Sequence, residues 1–123
     1  MKIIIGMLLL GTADTTDLAL DYKKCVETFA IGQIRSGEAA EVLVQAGETN
    51  CSGFLLPIET AVRLEIRSLP VTVDGYKKLP KVDVDKLVEE AVQSRIAIYQ
   101  KLSHEAVLRN VVFVKARINE REN

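Results

Sequence analysis

The sequence predicts an α+β fold, a ferredoxin-like βαββαβ sandwich with an insertion at about residues 30 to 53. Another small α/β sandwich is the alternative. Three observations lead there: an Ile- and Leu-rich run at the N-terminus, alternating apolar and charged residues in "TAVRLEIRSLP", and a long apolar stripe of helical period beyond Val84. With 123 residues, the chain has the length of one domain, assigned to residues 1–118, with 119–123 as a disordered polar tail.

The first element is a strand from Lys2 to Leu10, since a short Ile-rich run fits a central strand buried on both faces. The same residues also read as an export leader, with one positive charge, an apolar core and small residues after it. The strand is the preferred reading. It goes with a cytoplasmic location; the leader goes with a secreted protein carrying a Cys25–Cys51 disulfide. A helix is expected from Thr15 to Phe29, because Leu18, Tyr22, Cys25, Val26 and Phe29 share one face. Leu20 points the other way.

The next stretch is ambiguous. Ser36 caps a helix that runs to Ala46 and stops at Gly47, or "FAIGQI" and "AEVLVQA" form two strands around "RSGE". The helix is slightly preferred. "TAVRLEIRSLP" reads as a half-buried strand with Val62, Leu64 and Ile66 inward, although Pro57 and Glu59 would also suit a helix start. "VTVDGYKKLP" reads as a short strand with an Asp74-Gly75 turn. A helix follows from Val84 to Leu102, and "NVVFVKARI" reads as the last strand.

Composition excludes several functions. A net charge of −1 gives no electrostatic footprint for nucleic acid or an anionic membrane. Aromatic residues make up 5%, too few for a base-stacking platform. "YKKLPK" is a solvated basic loop. No cofactor is indicated.

Candidate site residues are few. In "GTADTTD", Gly11 and Thr12 could line a ligand turn at a helix N-terminus, but Asp14 and Asp17 repel an anion. The turn therefore reads first as an acidic cap, with a cation or a hydroxyl-rich ligand as the functional alternative. His104 is the lone histidine, a weak candidate for acid–base work and insufficient for a zinc site. Cys51, in the "NCSG" turn, is a weak candidate for a reactive thiol. Arg95 falls within the apolar stripe, so it must pair with a carboxylate, lie at a subunit interface, or bind an anion. Ile96 widens that stripe and favours an interface.

The preferred function is a small homo-oligomeric assembly or binding module without catalysis of its own. One alternative is a small-molecule-binding regulatory domain with its site at the Gly11–Asp17 turn or between subunits. The other is an enzyme with dispersed Cys, His and Asp residues. A homo-oligomer is expected as partner, with no nucleic acid and no membrane, and a small-molecule ligand is compatible with the sequence.

Overall fold

The computed structural model describes residues 13–122, and they are helical with no strand among them. Five α-helices follow in order: α1 (Ala13–Gly32), α2 (Ala40–Asn50), α3 (Leu55–Arg67), α4 (Pro70–Lys78) and α5 (Lys81–Glu122). Short 3-10 turns, Ile34–Ser36 and Ser52–Phe54, precede α2 and α3. The ferredoxin-like sandwich is thereby overturned, and so is the alternative α/β sandwich. The predicted strand at Lys2–Leu10 lies outside the described residues.

α5 is the spine. Its 42 residues contain no Gly and no Pro, Pro80 precedes it, and Asp83 sits in its first turn, where the helix dipole favours a negative charge. At 1.5 Å per residue it runs about 63 Å. Its buried positions are Val84, Val88, Val92, Ile96, Ser103, Val107 and Val111, with Tyr99 half-buried between them. Steps of four and three keep one side of a helix inward, which is why "NVVFVKARI" continues the helix instead of forming a strand. A strand there would bury Val111 and Phe113 on one face, yet Phe113 is 63% exposed.

α3 shows the same competition. Ile58, Val62 and Ile66 are buried at four-residue spacing, whereas Leu64, which a strand would turn inward with them, is 68% exposed. Its arginines are also spaced by four. Arg63 Nε lies 2.6 Å from Glu89 Oε1 and Arg67 Nη1 lies 3.0 Å from Asp85 Oδ1, so α3 runs antiparallel to α5. Fully burying a residue such as Ile58 contributes about 1.5–3 kcal/mol, and Ile58→Ala would cost about 2–5 kcal/mol with its cavity.

α2 also runs antiparallel to α5, with the Lys115 Nζ donating to the Glu38 carbonyl at one end and Glu48 meeting His104 at the other. α2 and α3 thus form one rod, broken at the 52–54 turn. α1 runs parallel to α5, because the Tyr22 side chain hydrogen-bonds Gln100 and Asn110 Nδ2 donates to Glu27 Oε2. It contacts both α2 and α3 and spans the break. The core fills the space between these rods, with Tyr22 and Val26 from α1, Leu43 and Val44 from α2, and Val62 from α3.

Other expectations are corrected locally. α2 begins at Ala40, not at Ser36, whose Oγ accepts from the Glu38 N–H. The stop before it is Gly37, at φ +87°, the left-handed backbone that suits glycine. Gly47 does not end α2. It is buried against α1, where a Cβ would meet the Val26 carbonyl oxygen at 2.8 Å. The Asp74-Gly75 pair lies within α4, which starts on Pro70, and Thr72 Oγ1 donates to the Ile66 carbonyl at 2.7 Å.

Candidate functional site

The disulfide fixes the middle of the bundle. Cys25 on α1 bonds to Cys51 at the end of α2, across 26 residues of sequence, and Cys51 is 1% exposed. It ties α1 to the break between α2 and α3. Cys51 is the residue considered as a nucleophile; in the disulfide it carries no thiol.

His104 holds the second junction. Its Nε2 lies 2.8 Å from Glu41 Oε1 and its Nδ1 lies 3.0 Å from Glu48 Oε2. A carboxylate oxygen faces each ring nitrogen, so the ring donates on both sides when it is protonated. Burial pulls the imidazole down, but the hydrogen bonds and charges of Glu48 and Glu41 outweigh it and hold its pKa above the ordinary value. Both ring nitrogens are engaged by carboxylates, one on each side. The ring therefore acts as a clasp between α2 and α5. Sequence reasoning missed both glutamates. Their seven-residue spacing, two turns of helix on one face, was the available signal, and it was hidden by ending the helix at Gly47.

A groove opens between α3, α4 and the first turns of α5. Its volume is about 880 Å³, and its walls are mostly aliphatic, with Ile66, Leu69, Leu79, Val84, Leu87 and Ala91 among them. Arg95 closes one end. Its Nη1 lies 3.2 Å from Glu65 Oε1, and both side chains are mostly buried. A charge at that depth is tolerable because an opposite charge faces it. Asp74 and Lys78 of α4 stand at the polar rim.

The apolar stripe predicted for α5 splits in two. Val84, Val88 and Val92 face the core, while Leu87, Ile98 and Leu102 face outward, joined further along by Val112 and Phe113. Ile96 belongs to the buried face. Arg117 covers one face of the Phe113 ring, 5.6 Å from its centre. The outer stripe begins in the groove at Leu87 and Ala91.

The remaining candidates do not join this surface. Gly11 and Thr12 lie outside the described residues. Asp14 is in the first turn of α1 and Asp17 is exposed on the same helix. Among the described residues no cluster of His, Cys, Asp and Glu is arranged to hold a metal ion. Among them, too, no helix is long and apolar enough to cross a membrane. Comparison with known proteins finds no matching family model, no matching curated protein and no matching solved structure.

Proposed function

We propose that this chain is a self-associating module, in which the outer face of α5 pairs with the same face of a second copy. The observation that carries this reading is the spacing of the exposed stripe. Leu87, Ile98, Leu102 and Phe113 are separated by eleven, four and eleven residues. Eleven residues make about three helical turns, so all four share a face. The spacing also reads the same from either end, as a two-fold antiparallel pair requires.

In that register Ile98 packs on the partner's Leu102, and Leu87 packs on the partner's Phe113. The exposed Phe113 ring is then a knob, and the groove behind Leu87 is the hole that receives it. A small residue matches a long one elsewhere: Ala91 opposes Arg109, a charge that interrupts the stripe. The large stripe residues expose on the order of 500 Å², at the upper end of what a monomer leaves to solvent. A standard interface takes about 800 Å² per partner, so the pairing also draws on the exposed flanking residues Ala91, Ser94, Arg109 and Ala116.

The disulfide bears on the compartment. The Cys25–Cys51 bond, with Cys51 buried and Cys25 half-buried, supports a working place outside the reducing cytoplasm. This departs from the preferred cytoplasmic reading of the sequence and takes up its alternative.

Sedimentation equilibrium tests the self-association. The oxidised chain should weigh twice one chain, and Phe113→Glu should shift it to monomer by placing a charge in an apolar contact. Leu64→Glu, on an exposed residue of α3 away from the stripe, should leave the dimer intact. A monomer at every concentration would overturn the reading and leave the groove to a small apolar ligand. A Phe113→Glu dimer as tight as the parent would do the same.

A further inference from the structure

The motif "GTADTTD" is left unused by the self-association surface, and it acquires a role once the disulfide is considered. We infer that residues 1–13 are an export leader, removed by hydrolysis of the Ala13–Asp14 peptide bond. This rests on the reading that the chain works in an oxidising compartment.

Two independent observations converge. The first is the order of residue types: a positive Lys2, an apolar run from Ile3 to Leu10, then small residues at Gly11 and Ala13. That is the order a leader peptidase reads, with small side chains at the third and first positions before the cut. The second is the Cys25–Cys51 disulfide at the centre of the bundle. Its formation takes two electrons and two protons from the two thiols and gives them to a thiol oxidant, which exported proteins meet and cytoplasmic ones rarely do. Neither observation depends on the other.

The cut leaves the helical fold a workable start. Water adds to the Ala13 carbonyl carbon, the C–N bond breaks, and Asp14 keeps the new amino group. An ammonium at a helix N-terminus is opposed by the dipole, but Asp14 and Asp17 lie within the first five residues of α1 and offset it. The acidic residues that argue against a phosphate at this turn suit a helix that begins here. Thr15, the next residue, is already fully buried.

The test is expression of the full chain with a C-terminal tag in an exporting bacterial host. It is followed by intact mass measurement and thiol alkylation without reductant. The expected product begins at Asp14 and takes up no alkyl group. Ala13→Phe, which puts a bulky side chain before the cut, should leave the leader attached. Leu8→Arg, which breaks the apolar run, should give uncleaved chain with two reactive thiols. If the parent chain keeps residues 1–13 but resists alkylation, the processing site falls and the oxidising compartment stands. If it keeps them and both thiols react, both fall. A first residue other than Asp14 overturns the assigned cut.

Discussion

Cys25, midway along α1, is joined to Cys51 at the point where the rod of α2 and α3 is broken. The bond closes a loop of 26 residues and holds three helices at one junction. Constraint of the unfolded chain by a loop of that size is worth about 3.5 kcal/mol in the chain-entropy model. Replacing both cysteines by Ala should therefore lower Tm by roughly 10–20 °C. Calorimetry of the double variant checks this, and an unchanged Tm would show that the junction is held by packing alone.

The clasp at His104 predicts a pH dependence of stability. The folded imidazole has a raised pKa, through Glu48 and Glu41. Its unfolded value is about 6.5. The folded state therefore binds the proton more tightly, and the contribution is fully present below about pH 6.5. It is lost as pH rises through the higher folded value. Urea midpoints for the native chain should fall across that window, and those of His104→Gln should not follow. Equal slopes for the two chains would remove the clasp from the account.

The contact between Gly47 and Val26 predicts a contrast between two glycines. A Cβ at Gly47 would press on the Val26 backbone oxygen at 2.8 Å, and backbone cannot swing away. Overpacking of this kind costs about 1–3 kcal/mol, partly offset by the better helix propensity of Ala. Gly47→Ala should therefore lower stability by about 1–2 kcal/mol. At Gly53 an added Cβ meets nothing within 4 Å, so Gly53→Ala should be neutral or slightly stabilising. Paired denaturant titrations decide, and a harmless Gly47→Ala would mean that α1 and α2 can separate at no cost.

Helices were legible in the sequence where apolar residues recur at three and four, as in α1 and the first half of α5. They were misread where β-branched residues happen to alternate as well. "AVRLEI" satisfies both periods at Val62 and Ile66, and only the exposure of Leu64 separates them. "NVVFVKARI" is a run of strand-forming residues at the end of a helix already stabilised by contacts with α2, and those contacts override its local preference. The site was legible in pieces. Arg95 stood out as a charge in an apolar stripe, but its partner Glu65 lies thirty residues away on a segment read as a strand. The two-sided use of the α5 stripe was hidden because a helix wheel does not say which of two apolar faces the rest of the chain covers.

The antiparallel pairing of α5 is tested most directly by cross-linking single-cysteine variants. Leu87→Cys and Phe113→Cys are mixed and oxidised, with the native disulfide intact. The two positions are 26 residues apart in one helix, about 39 Å. The paired register brings Leu87 of one copy beside Phe113 of the other and keeps like positions far apart. The mixture should give a Leu87→Cys–Phe113→Cys cross-link, and neither variant alone should cross-link. Efficient cross-linking of Leu87→Cys to itself, or none in the mixture, would contradict the account.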